Sequence, residues 1–417
     1  MSSHNTSGYK LHVWRATGSA ILCMGLTWAV LYALLPPSLI LPIGALVAGL
    51  ALAVLLTRVG WWTWPRALGT LATAAVALFG AHLAMVHPST VGAVTADSPW
   101  REVDSLLQEQ GFSGAVLVAQ NGQALLDKGY GYADRNKWIP NTPHTRYQLG
   151  SVSKQFTAMA ILILQAQGKL GVRDHLCQHI PDCPAAWQEI TLNHLLTHSS
   201  GLADYFVPCY SDAQKARTII AQARNKPLAF KPGEGFSYSN VGYQLLAGIV
   251  ERASSQPYGR FLQANIFEPL DMHDSAYAPE GSQGLAVGYT NALLKACPMD
   301  RSFEFGDSGI VSTVQDLYRW EQALNTERLI PQSLLAEMFA PRVPMPSSIG
   351  FAGYGWVIGQ QYNHRVFMHG GFIQGFKSLI ARYPDDGLTI IMLSNQQNHA
   401  VGSISELMLQ KVFVKEP

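Results

Sequence analysis

Ser151-Val152-Ser153-Lys154 sets a hydroxyl and an amine three residues apart, at the start of a helix expected over 151–167 and stopped by Gly168. Residues spaced i, i+3 share one helix face. The Lys154 amine can therefore reach the Ser151 oxygen and help remove its proton, which is the chemistry of a serine nucleophile in acyl transfer. A helix start adds free backbone N–H groups and the positive end of the dipole. Alone, Ser-x-x-Lys is weak, because a capping serine followed by a solvated lysine gives the same letters. Two further groups add weight. Tyr238-Ser239-Asn240 lies 87 residues on, at a turn entering a helix, and His369-Gly370-Gly371 lies 131 beyond that, at the end of a strand pattern.

Ser-x-x-Lys, Tyr-x-Asn and Lys/His-x-Gly, in that order, resemble the three motifs of the penicillin-recognising serine hydrolases. The chain is similar to the class C β-lactamase branch, with its D,D-peptidases, D-aminopeptidases and esterases. Flanking text agrees: Phe112-Ser113-Gly114, the run 195–202 (Leu-Leu-Thr-His-Ser-Ser-Gly-Leu), Pro232-Gly233-Glu234, and Ser312-Thr313 with Asp316. The resemblance covers about residues 98–415. It implies that Ser151 attacks the carbonyl while Lys154 keeps it poised and shares its proton. Tyr238 would be the base in acylation and the acid toward the leaving group, although Lys154 stands as an alternative base. Asn240 would hold the substrate amide. The N–H groups of Ser151 and Phe372 would form the oxyanion hole, the strand through Gly371 running past the nucleophile. His369 stands where many relatives carry Lys. No cofactor or metal is implied.

Position 370 departs from the pattern. Relatives that bind penicillins well usually carry Thr or Ser between Lys/His and Gly, and that hydroxyl donates to the carboxylate of β-lactams and D-Ala-D-Ala termini. Gly370 has no such donor, and His369 can be neutral at pH 7. Poor β-lactam hydrolysis is expected, with peptides, amides or esters lacking a carboxylate beside the scissile bond preferred. The alternatives are a β-lactamase or D,D-carboxypeptidase, or a β-lactam sensor that acylates without turnover.

Three other signals carry less. Gly306-Asp307-Ser308-Gly309 has the letters of a trypsin-like nucleophile motif but precedes a helix in a helix-rich chain. His198 beside Ser199 reads as part of a structural turn. Glu234 belongs to a Pro-Gly-Glu turn rather than to a deacylating base.

The elements that must position these groups are legible in outline. A helix to residue 110 precedes strands at 114–119 and 123–130, joined at Asn121-Gly122, a strong hairpin signal. Helical patterns follow at 240–253, 260–267, 313–324 and 331–339, with a short helix opened by Thr191. Strands return at 366–369, 376–383 and 388–394, before a last helix over 401–413. The fold class is therefore α/β (α+β): an antiparallel sheet closed by both chain ends, flanked by helices, with a helical lobe.

Charge divides the chain of 417 residues. Four of 29 basic residues (Lys10, Arg15, Arg58, Arg66) and none of the 28 acids lie before Asp97, which leaves the remainder at −3. Residues 1–96 read as a membrane anchor and 97–417 as the hydrolase domain. Apolar runs at 16–35, 39–57 and 67–86 each match a hydrocarbon core of ~30 Å, and Trp61, Trp62 and Trp64 are placed like an interfacial belt. A cleaved signal peptide accounts for the first run only. The basic residues put the N-terminus inside and the hydrolase domain periplasmic or extracellular, on a cytoplasmic membrane. The implied partners are a small-molecule or peptide substrate and the lipid bilayer. A net charge of +1 gives no case for nucleic acid. Four cysteines fall outside the membrane runs, and in an oxidising space Cys177 can pair with Cys183 and Cys209 with Cys297, four free thiols being the alternative.

Overall fold

Apolar residues along the strands β1 (Gly114–Gln120) and β13 (Leu388–Ser394) give the sheet two buried faces. The structure, a computed structural model, describes residues 99–204, 216–277, 284–291, 294–297, 305–346 and 350–414. The three apolar runs, the boundary at residue 97 and Cys209 lie outside these residues. Among the described residues no helix is long and apolar enough to cross a membrane.

The remaining strands are β2 (Gln123–Tyr130), β3 (Tyr132–Asp134), β4 (Ile139–Pro140), β5 (Tyr147–Gln148), β6 (Ala276–Tyr277), β7 (Ile310–Ser312), β8 (Val343–Pro344), β9 (Phe351–Ala352), β10 (Val357–Gln361), β11 (His364–Ile373) and β12 (Phe376–Tyr383). The main sheet runs β2-β1-β13-β12-β11-β10-β9-β8, antiparallel throughout, so strands from both ends of the hydrolase region pair within it, β1 beside β13. Asn121 and Gly122 both take positive φ, as a tight hairpin of this hand requires. A small sheet, β5-β7-β6, lies apart from it in the pairing order.

Nine helices lie among the described residues: α1 (Pro99–Glu109), α2 (Lys154–Ala166), α3 (Leu192–Leu196), α4 (Ala216–Ala223), α5 (Asn240–Ser254), α6 (Tyr258–Leu262), α7 (Val314–Ala323), α8 (Gln332–Met338) and α9 (Val401–Phe413). On one face of the sheet Val116, Val118, Ile390 and Met392 share a core with Trp100, Val103 and Leu107 of α1 and Ile404 and Met408 of α9. On the other, Leu117, Ile380, Ile391 and Leu393 join the core built around α2, α5 and α7. Each such large apolar side chain contributes roughly 1.5–3 kcal/mol by leaving water.

Residues 154–164 of α2 are all buried, so this helix runs through the core instead of along its surface. Its polar residues need internal partners. Gln155 Oε1 accepts from Trp320 Nε1 at 3.0 Å, and Thr157 Oγ1 donates to the Gly306 carbonyl.

Two expected helices are corrected. The first begins with a 3₁₀ turn, Gly150–Ser153, before α2 proper, and the pattern over 260–267 is α6 passing into a π turn over Gln263–Phe267. The expected strand at 366–369 continues through the Gly pair to Ile373, because ladder pairing with β12 (Gly370 opposite Leu379, Gly371 opposite Ser378) holds residues of low strand propensity. Cys177 and Cys183 form a disulfide across 5.2 Å between Cα atoms.

Candidate active site

Three elements converge: the 3₁₀ turn with the start of α2, the start of α5, and β11. In a 3₁₀ turn residues i and i+3 eclipse, and Lys154 Nζ donates to Ser151 Oγ at 3.2 Å. The turn is pinned on both sides. Leu149 N–H donates to Ile310 O at 2.9 Å, Ser153 Oγ accepts from Ile310 N–H at 3.1 Å, and Ser378 Oγ donates to Leu149 O at 2.6 Å.

Lys154 is fully buried, and all three of its protons are placed: besides Ser151, Nζ donates to Asn240 Oδ1 at 2.8 Å and to Asp307 O at 2.9 Å. Tyr238 and Asn240 flank Ser239, the N-cap of α5, whose Oγ accepts from Gly242 N–H. This cap fixes where both neighbours stand. Lys154 Nζ lies 4.9 Å from the centre of the Tyr238 ring. Ser151, Lys154, Tyr238 and Asn240 are thus brought together.

β11 supplies the other wall. A Cβ on Gly150, which has φ +53°, would lie 2.9 Å from Phe372 O and 3.0 Å from Phe372 N, so the backbones of the nucleophile turn and β11 touch there. A Cβ on Gly371 would lie 2.0 Å from Leu149 O. Glycine at both positions permits the close passage that brings the Phe372 backbone against the turn carrying Ser151. Gly370 is different: its nearest neighbour would be Ser378 O at 3.8 Å, ordinary contact.

His369 is buried and its Nδ1–H donates to Gly370 O at 2.7 Å, which leaves Nε2 with a lone pair. Burial and then the Lys154 cation push its pKa down to about 4. The ring is neutral at pH 7.

Three residues outside the motifs shape the site. The His198 ring stacks on Tyr238 at 4.3 Å between centroids, and its Nδ1 accepts from Ser239 N–H at 3.0 Å. Burial, Lys154 and His369 hold its pKa well below the ordinary value. Asp204 accepts from the Asn240 N–H (2.9 Å) and from Nδ2 (3.0 Å), which orients the amide with its oxygen toward Lys154. Asp307 lies in the Gly-Asp-Ser-Gly stretch that mimics a protease motif, yet its carbonyl serves Lys154. The text 195–202 holds the only sequence signal for His198, and nothing marks Asp204. A narrow cleft is lined by His198, Phe236, Tyr238, Met345, Trp356 and His369.

The Beta-lactamase family profile matches residues 101–412. The chain belongs to the beta-lactamase family. Penicillin-binding protein 4* of Bacillus subtilis (strain 168) is 32% identical over 320 residues, covering 70% of each chain. The putative penicillin-binding protein PbpX of the same organism is 31% identical over 318 residues, covering 74% of this chain and 78% of its own. Among solved structures, the octameric penicillin-binding protein homologue from Pyrococcus abyssi aligns with a TM-score of 0.68 at 26% identity, over 76% of this chain and 77% of that one. A D-amino acid amidase from Ochrobactrum anthropi SV3 shares the fold, with a TM-score of 0.67 at 22% identity over 75% of this chain and 98% of its own. As a beta-lactamase family member the chain is a serine hydrolase working through an acyl-enzyme.

Proposed function

We propose that Ser151 carries the acyl group and that the substrates are peptides, amides or esters without a carboxylate beside the scissile bond. In acylation Ser151 Oγ bonds to the carbonyl carbon and its proton passes to the Lys154–Tyr238 pair. Tyr238 returns that proton to the leaving group as the C–N or C–O bond breaks. The N–H groups of Ser151 and Phe372 take the oxyanion, and Asn240 holds the substrate amide. Water then enters by the same route and releases the acid.

One observation carries the substrate reading. Where a carboxylate-binding cation and hydroxyl are expected, this chain has a neutral His369 and Gly370, which has no side chain. A hydrogen bond to a charged group is worth about 1.5–3 kcal/mol, so its loss weakens carboxylate recognition roughly ten- to hundredfold. Phe372, 45% exposed, and the cleft residues Phe236, Met345 and Trp356 favour apolar substituents. The test compares kcat/KM for nitrocefin, a short-chain aryl ester and a D-amino-acid amide. The ester or amide is expected to lead, and Gly370→Thr to recover part of the lactam activity. Nitrocefin ahead by more than about tenfold, the fold-change set by that one bond, makes the chain a β-lactamase instead; a label that persists after acylation makes it a sensor.

The anchor belongs to the same proposal: helices at 16–35, 39–57 and 67–86, with the hydrolase domain outside a cytoplasmic membrane. Its support is the absence of acids before Asp97 and the placement of Lys and Arg, together with the Cys177–Cys183 disulfide, which suits an oxidising space. A reporter active only outside the cytoplasm, fused after Pro417, should be active, and one fused at Gly60 silent. The reverse pattern refutes the orientation.

A further inference from the structure

The helix α3 closes in a Schellman turn, in which Ser199 N–H donates to His194 O at 2.9 Å and His198 N–H to Leu195 O at 3.4 Å. The residue just past the cap of such a turn takes the left-handed conformation and is usually glycine. Here it is His198, at φ 58°. A side chain is disfavoured in that conformation, although histidine adopts it more readily than most. A ring kept where glycine fits better points to a use for the ring.

Three of its contacts fall on the tripeptide Ser237-Tyr238-Ser239. The His198 carbonyl accepts from Ser237 N–H at 2.9 Å, and Nδ1 accepts from Ser239 N–H at 3.0 Å. Between these anchors the imidazole stacks on the Tyr238 ring, 4.3 Å between centroids at 27°. The imidazole is itself held: the Tyr243 ring lies at 5.2 Å, with its hydroxyl donating to Leu196 O at 2.8 Å, and Phe236 meets the imidazole edge-on at 6.0 Å. The same two segments are fastened further along, where Gly233 N–H donates to Ser199 O and Ala229 N–H to Gly201 O, both at 2.8 Å. We propose that His198 is a positioning residue for Tyr238: it grips the chain on both sides of the tyrosine and rests a flat ring against the phenol, which sets Tyr238 beside Lys154 before a substrate arrives. The assignment rests on the role given to Tyr238 in the preceding subsection. His198 is not a base. With Nδ1 accepting from Ser239, the neutral ring carries its proton on Nε2 and has no lone pair left to offer. Burial and then Lys154 disfavour a second proton.

The test uses the full chain, the variants H198G and H198N, and each of these again with Y238F. Glycine suits the backbone at φ 58°, so H198G removes the ring and Nδ1 without straining the turn. Asparagine also tolerates this conformation, and its Oδ1 can replace Nδ1 as acceptor. On an aryl ester, H198G should lower kcat about a hundredfold, the cost of displacing a catalytic group by about 1 Å, with KM within about threefold. H198N should recover about tenfold of that loss through the restored hydrogen bond. With Y238F no hydroxyl remains to be misplaced, and H198G should then cost less than about twofold in kcat. The fall in melting temperature that H198G brings should be equal in both backgrounds, because Phe offers the imidazole the same face. An H198G loss of full size in the Y238F background, or an H198G kcat within about threefold of wild type, overturns the proposal. Amide exchange gives a readout free of turnover. Exchange at Ser239 should quicken about tenfold or more in H198G and slow again in H198N, while Ser237, held by the main-chain carbonyl, stays slow. Unchanged exchange at Ser239 overturns the proposal as well. A Y238F enzyme as fast as wild type defeats only the role given to Tyr238, and the exchange rates still decide what His198 holds.

Discussion

Gly370 and Gly371 stand side by side on β11, and alanine at the two positions should give opposite results. At Gly371 the added Cβ would lie 2.0 Å from Leu149 O and 2.2 Å from Ser378 Oγ. Ordinary contact begins near 3.4 Å, so β11 must retreat from the nucleophile turn by more than about 1 Å. That moves Phe372 N–H away from the oxyanion position proposed for it. Loss of one oxyanion donor costs about a hundred- to a thousandfold in rate, and misplacement by about 1 Å costs about a hundredfold. Gly371→Ala should therefore lower kcat/KM on the preferred ester by about a hundredfold or more, and crowding should cost about 1–3 kcal/mol of stability. At Gly370 the nearest atom would be 3.8 Å away, and Gly370→Ala should stay within about threefold of the wild type on the same ester. The assay is the rate of fluorophosphonate labelling beside ester turnover, taken well below the melting temperature of each variant. A folded Gly371→Ala that labels at the wild-type rate, or a Gly370→Ala that loses as much as its neighbour, refutes the close-passage argument.

Ser151→Ala should abolish covalent labelling while changing the melting temperature little, since Ser151 lies within the 3₁₀ turn and caps no helix; labelling that persists rules Ser151 out. For His369 the pKa is lowered from 6.5 to about 4, so the stability it contributes is whole above pH 6.5 and lost as pH falls through 4. At about 1.4 kcal/mol per pH unit that is roughly 3–4 kcal/mol, and His369→Gln should not lose it; equal pH slopes in urea melts of the two proteins would count against a buried neutral ring.

The groups proposed to carry chemistry are legible in the sequence because their order and type are rarely met together by chance. Ser151, Lys154, Tyr238 and Asn240 do meet in space, and the strands 376–383 and 388–394 and the helix 401–413 have the bounds their apolar patterns indicate. What escapes a sequence reading acts through proximity created by the fold. His198 is a turn residue whose ring reaches Tyr238 only because Ser239 N–H bonds back to it. Asp204 orients Asn240 from 36 residues away in the chain. Asp307 sits in letters shared with another enzyme class, and its main-chain oxygen, which no side-chain pattern encodes, is what serves Lys154. β10 gives no strand signal because Val357-Ile358-Gly359-Gln360-Gln361 lacks clear alternation, while pairing with β11 on one side and β9 on the other supplies what propensity does not.

The pairing of early and late strands inside the sheet has a consequence during synthesis. A ribosome delivers Ser151, Lys154 and Tyr238 long before β13, yet β1 has only the β2 hairpin to pair with until residues 388–394 arrive. Pairing of this range is slow to form because loop closure precedes any gain. A product cut short before residue 388 would carry the nucleophile motif without the strand that seats β1 and β12, and without the wall that completes the oxyanion site if cut before 364. On the proposed roles, hydrolytic competence should appear only once residues 364–394 have been made.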